Sequence, residues 1–196
     1  MRETLPLAVI QDAVFEFLRN RNDVVVFGAQ AVNAYVSERR STEDVDVAAL
    51  TGSTLAEELR MHLADRFHIA VRVREVRDGI GYRVYQVRKD GNRHLVEVRP
   101  VAVLPPLQRV DDVNVVTPAE LIAGKVFAFV SRQGKPKSFT DRRDLAVLLL
   151  RFPELKTEQG SVRERLDAAG ASQEVLLAWS ELVAQEITPE DDDSGW

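Results

Sequence analysis

Hydrophobic positions change their spacing along the chain, and the changes divide it into elements. In residues 6–19 Leu7, Ile10, Val14, Phe15 and Leu18 recur at helical intervals, which predicts an amphipathic helix. VVVFG (24–28) is a β-branched run that ends in glycine, the mark of a buried strand. Helical spacing returns in 29–40, DVDVAAL (44–50) predicts a second strand, and 54–67 predicts another helix. The period then becomes two. AVRVREVR (70–77), YRVYQVR (82–88) and HLVEVRPV (94–101) alternate, separated by Asp78-Gly79-Ile80-Gly81 and by Asp90-Gly91-Asn92. Turn-formers between alternating runs predict an antiparallel meander added to the sheet.

Leu104-Pro105-Pro106 and Asp111-Asp112 mark a connection. A helix is predicted from Thr117-Pro118-Ala119-Glu120 to about Arg132, because threonine caps, proline suits the first helical position and the glutamate completes a capping box. A polar segment (134–141) precedes an apolar helix (141–152) that Pro153 stops, and 160–187 predicts one or two more helices. The expected architecture is α/β (α+β): a mixed sheet flanked by helices over 1–115, an α-helical lobe over 116–188, and an acidic disordered tail over 189–196. There is no internal repeat.

Composition narrows the chemistry. Apolar residues make up 45% and charged residues 29%, the balance of a globular chain. With no cysteine there is no disulfide partner, thiolate metal site or cysteine nucleophile, and three histidines leave little for a histidine-built zinc site. No apolar run approaches the ~18 residues of a membrane span, and the N-terminal residues lack a signal-peptide core, so no membrane partner and a cytoplasmic location are expected. Net charge is −5, which gives no global reason to expect nucleic-acid binding. Its distribution differs. Residues 66–99 carry a balance of +5 and residues 154–196 a balance of −8, and a positive middle steers an anionic ligand locally. The alternative is arginines that decorate a sheet face.

The stretch with most chemical information is FGAQAVNAYVSERRSTEDVDV (27–47). A strand ends at Gly28, a helix begins at once, and the next strand presents Asp44 and Asp46 on one face. Two adjacent carboxylates repel unless something compensates. Mg²⁺ does so, since it is typically held by one or two carboxylates plus substrate phosphates. Backbone N–H groups at the helix start seat a phosphate, and glycine there permits close approach. A phosphate seat beside a metal seat describes a site for a Mg-nucleotide.

Phe27-Gly28-Ala29 followed by Asp44-Val45-Asp46-Val47 resembles the signature of the polymerase-β-like nucleotidyltransferase superfamily. Arg40, Thr42, Asp44 and Asp46, the capped helix with Lys125, and Lys137, Asp141, Asp144 and Leu145 together resemble the abortive-infection (AbiEii-type) nucleotidyltransferases, which include toxins of toxin–antitoxin pairs. The resemblance covers about residues 24–150. It implies a nucleotidyltransferase-like fold, NTP as substrate, Mg²⁺ (or Mn²⁺) as cofactor and an antitoxin protein as partner. One departure weakens the phosphate seat: the superfamily has Gly or Ser where this chain has Ala29. A backbone N–H survives there, and Gln30 offers a replacement donor.

The superfamily's third carboxylate is matched by Glu97 in LVEV (95–98), which alternation places opposite Val96 and Val98; Glu75 is the rival. Catalytic and metal-ligating residues are thus expected to be Asp44, Asp46 and Glu97. Nucleotide-binding residues are expected to be Gly28, Ala29, Gln30, Arg40, Lys125, Lys137 and Asp144. Alternatives stay open for several. Arg40 contacts the nucleotide or pairs with Glu43; Lys125 reaches the triphosphate or snorkels at a rim; Asp141 and Asp144 favour a helix start or orient Lys125 or Lys137. The expected function is Mg-dependent transfer of an NMP from an NTP to an acceptor hydroxyl, with RNA such as tRNA as acceptor. The alternative is a catalytically weak or inactive nucleotide- or RNA-binding module that acts through a protein partner.

Overall fold

The computed structural model describes residues 5–76 and 80–189. The expected tail over 189–196 falls almost wholly outside the described residues, as do Asp78 and Gly79 of the first meander turn. The chain divides into two compact units, 1–34 with 40–117, and 35–39 with 118–196.

The first unit is built on a seven-stranded mixed sheet in the order β3-β4-β5-β2-β1-β7-β6. Helix α1 (Leu7–Leu18) buries Ile10, Ala13, Val14 and Leu18. Strand β1 (Val24–Phe27) lies near the middle, antiparallel to β2 (Val45–Ala49) and parallel to β7 (Val113–Val116). That place explains its unbroken valine run, because a central strand buries both faces. Helix α2 (Gly28–Tyr35) follows without a linker and ends five residues before the helical spacing predicts. The Asn33 side chain takes over there, donating to the Arg40 carbonyl at 2.8 Å and accepting from the Arg40 N–H at 3.1 Å, so the chain turns instead of continuing the helix. Helix α3 (Gly52–Phe67) buries Leu55, Ala56, Leu59 and Leu63 and packs on β3 (Val71–Val76), β4 (Gly81–Gln86) and β5 (Arg93–Pro100).

Residues 104–116 are a correction to the sequence reading. Instead of a connection they form a hairpin of β6 (Leu107–Val110) and β7. Asp111 and Asp112 both take positive φ, 48° and 64°, which is the backbone of a two-residue type I′ turn. The buried Asn114 amide of β7 donates to the carbonyls of Arg21 at 3.0 Å and Val24 at 3.2 Å, tying the hairpin to the chain that enters β1.

The second unit is helical. It contains α4 (Pro118–Ser131), α5 (Pro136–Arg151), a 3-10 turn (Pro153–Leu155), α6 (Ser161–Ala168) and α7 (Gln173–Ala184), with Trp179 and Leu166 fully buried. Helix α5 begins five residues before the predicted start. Pro136 occupies its first turn, where a missing N–H costs nothing, and most of the polar segment around it belongs to the helix's first turns, with Ser138 and Asp141 buried.

Candidate functional site

One transverse row of side chains organises the first unit. Arg74 of β3 pairs in register with Arg83 of β4, Arg83 with Glu97 of β5, Glu97 with Asp46 of β2, and Asp46 with Phe27 of β1. Residues paired across a sheet share a face, so this row lies on one face. The opposite face carries Val84, Val96, Val98, Val45 and Val47, all buried. Alternation therefore sorts the sheet into a core face and a charged face, and Asp46 and Glu97 become neighbours across a parallel pair.

Gly28 fixes the inner end of the row. Its φ is +71°, and a Cβ placed there would overlap Asp46 Oδ2 and come within 3.0 Å of its Cγ. Only a residue without a side chain lets the β1–α2 turn pass this close to the carboxylate. Ala29 and Gln30 follow in the first turn of α2. Gln30 donates to the Thr42 hydroxyl at 2.6 Å and Gln11 donates to the same oxygen at 3.1 Å, so Thr42 ties α2 and α1 to the segment that leads into β2. Arg40 donates to the Ser41 carbonyl at 3.4 Å.

A second row lies one step along the sheet. Asp44 Oδ2 is 2.8 Å from His94 Nδ1, the His94 ring stacks obliquely on Tyr85 at 5.1 Å between centroids, and the Arg72 guanidinium lies over Tyr85 at 6.0 Å. His94 Nε2 faces the Val96 carbonyl at 3.2 Å. Both ring nitrogens thus face oxygen atoms. Strict alternation puts His94 on the core face with Val96. A register shift between Val84 and Tyr85 pairs Tyr85 with His94 instead, and such a bulge re-aims a side chain. His94 was missed from sequence for that reason.

Glu97 accepts from Arg83 Nε at 3.0 Å. A hydrogen bond with the Tyr85 side chain and then the charge of Glu97 hold the Arg83 guanidinium above its ordinary value. Arg99 instead lies over the Phe27 ring at 4.8 Å.

Carboxylates of Asp44 and Asp46 are hard oxygen donors of the kind Mg²⁺ takes. Among the described residues no group of three or more His, Cys, Asp or Glu side chains is arranged to hold a metal ion, consistent with the engagement of Glu97 by Arg83. Two protein carboxylates completed by substrate phosphates is the arrangement this donor set fits.

Lys125, Lys137 and Asp144 belong to the second unit. Lys125 is buried on α4, with Nζ 3.1 Å from Asp141 Oδ1 and 2.7 Å from Asp144 Oδ2. Arg132 reaches the other Asp141 oxygen at 2.8 Å. Both aspartates are buried on α5. Lys125 therefore neither snorkels nor presents a free ammonium; its charge balances two carboxylates between α4 and α5. Lys137 is exposed on the first turn of α5. The burial of Glu120, in the first turn of α4, raises its carboxyl above the ordinary value.

No protein-family model matches the chain, and no curated protein matches it in sequence. Solved structures do. The Megavirus polyadenylate synthase superposes with a TM-score of 0.62 at 14% identity, over 75% of this chain and 32% of that enzyme. JHP933 from Helicobacter pylori gives 0.54 at 12% identity over 90% of both chains. An antigenic nucleotidyltransferase-like protein from Paracoccidioides brasiliensis gives 0.51 at 19% identity, over 90% of this chain and 85% of that one. The chain therefore has a nucleotidyltransferase-like fold. No helix among the described residues is long and apolar enough to cross a membrane.

Proposed function

We propose that the chain is a nucleotidyltransferase that moves an NMP from an NTP to the hydroxyl of an acceptor and releases pyrophosphate. The observation that carries this reading is the close approach of Gly28 to Asp46, with Asp44 anchored just before the same strand. It joins a helix-start phosphate seat to a carboxylate pair. Backbone N–H groups at Gly28 and Ala29 receive the phosphates, and Asp44 and Asp46 are the residues that hold Mg²⁺ or Mn²⁺. When bound, such an ion activates the attacking hydroxyl and offsets charge on the leaving oxygens. Glu97, beside Asp46 in register, receives the hydroxyl proton. The rest is positioning and electrostatics.

RNA is the acceptor in this reading, supported by the arginines of β3 and β4 on the charged face. The motif resemblance further supports a role as the toxin of a toxin–antitoxin pair, with an antitoxin protein as partner. Incubation with RNA and each labelled NTP tests the transfer. Label that moves to RNA in a metal-dependent way supports it; no transfer from any NTP to any acceptor, with Mg-NTP bound, overturns it.

A second reading has its own support. Asp44 is paired with His94 and Glu97 with Arg83, and Ala29 lacks a hydroxyl, so the chain would bind nucleotide or RNA without turnover and act through a partner. Calorimetric binding of Mg-NTP without pyrophosphate release selects that reading.

A further inference from the structure

Beyond the nucleotide end of the row, β3 and β4 frame a cleft of about 270 Å³ lined by Arg74, Glu75, Val76, Arg83 and Tyr85. Its charge is unusual for neighbouring strands. Arg74 and Arg83 stand directly opposite each other, and like charges in that position are destabilising. Arg83 is answered by Glu97 at 3.0 Å. Among the described residues Arg74 has neither an ion pair nor a hydrogen bond to its side chain. Arg72 is two residues along β3 on the same face, about 6.6 Å away at strand rise, and its guanidinium lies over Tyr85. The result is two guanidiniums at a regular interval on an edge strand, a third held rigid beside them, and a cleft between.

We propose that this cleft holds a backbone phosphate of a single-stranded polynucleotide, with Arg74 and Arg83 as its clamp and Arg72 contacting the next phosphate. Planar forks suit phosphate oxygens. Spaced forks along an extended strand suit a chain that carries one charge per repeat, and a single small anion leaves Arg72 unused. Arg83 donates through Nε to Glu97 Oε2 at 3.0 Å, which leaves its other donors for the ligand. Arg83 stands two strands from Asp46, about 10 Å at inter-strand spacing. A strand held in the cleft therefore brings its end toward the carboxylates. The direction of that strand rests on the nucleotidyl-transfer reading; the binding itself does not.

The test measures fluorescence anisotropy of labelled oligo(A) and of a hairpin duplex against salt, with no nucleotide or metal, on the full chain. Wild type is expected to prefer the single strand. Arg74→Gln is expected to weaken it about tenfold and to lower the salt slope by about 0.7, with Arg72→Gln doing the same. Arg74→Lys is expected to keep the slope and lose part of the affinity, since charge survives and the fork does not. Arg109→Gln, on the opposite edge strand β6, serves as the control for diffuse attraction. An unchanged affinity in the Arg72 and Arg74 variants overturns the proposal, as does an equal loss in Arg109→Gln or a preference for duplex. Because nucleotide is absent, failure of transfer leaves this result intact, and failure of this binding leaves transfer to other acceptors testable.

Discussion

Gly28 lies directly against Asp46: a Cβ on Gly28 would come 3.1 Å from the Cβ of Asp46 and overlap its carboxylate. The turn that ends β1 and the carboxylate of β2 are therefore one device. Gly28→Ala is expected to cost about 1 kcal/mol of stability, because alanine resists φ near +71°. It is also expected to push the Asp46 carboxylate aside and weaken Mg-NTP binding more than tenfold. Thermal unfolding and calorimetry on the same protein check both; undiminished nucleotide binding contradicts the phosphate-and-metal seat.

Lys125 gives a sharper separation of roles. Lys125→Met leaves Asp141 and Asp144 buried without their shared cation, and breaking a buried pair in this way costs about 3–5 kcal/mol. Asp144→Asn is expected to be destabilising too, by less, since Asp141 still holds the ammonium. The midpoint of urea unfolding checks this. A Lys125→Met protein that melts like wild type but loses nucleotide affinity would return Lys125 to the triphosphate.

Arg21, in the segment that enters β1, joins that segment to α3, donating to Asp23 at 2.7 Å and to Glu58 at 2.7 Å. The hydrogen bond from Arg21 holds the Asp23 carboxyl below its ordinary value of 3.8. A lowered carboxyl contributes stability that is present above pH 3.8 and is lost as pH falls through the folded-state value. Asp23→Asn is expected to lower stability by about 1 kcal/mol at pH 7; the difference is expected to shrink as pH drops under 3.8 and to vanish only below the lower, folded-state value. A difference that persists there would place the effect in packing.

Glu120 runs the other way. Burial raises its carboxyl above 4.5, so the folded chain binds this proton more tightly than the unfolded one. That contribution is fully present below the unfolded value and declines as pH rises through the folded value. Glu120→Gln is expected to raise the melting temperature slightly at pH 7 and to match wild type below pH 4.5.

Much of this was legible because burial obeys simple periods. The valine run of β1, the D-x-D of β2 and the alternation of the meander all declare which face is core, and Asp46 and Glu97 fall on the other. Contacts that break the period were hidden. His94 reaches Asp44 only through the bulge at Val84 and Tyr85, which nothing in HLVEV announces. The β6–β7 hairpin was hidden behind prolines and an Asp-Asp turn that also suits a loop. Pairing partners are long-range as well. Arg83 meets Glu97 because the register of β4 on β5 places it there, and register is a property of the assembled sheet.

The most direct test of the central claim is transfer itself: wild type and the Asp44→Asn/Asp46→Asn protein, each incubated with total RNA, α-labelled NTP and Mg²⁺, with pyrophosphate release followed in parallel. Wild type is expected to give label on RNA and stoichiometric pyrophosphate. The double variant is expected to give neither, while folding with an unchanged or higher melting temperature once the carboxylate repulsion is gone. Full transferase activity in the folded double variant would contradict that claim.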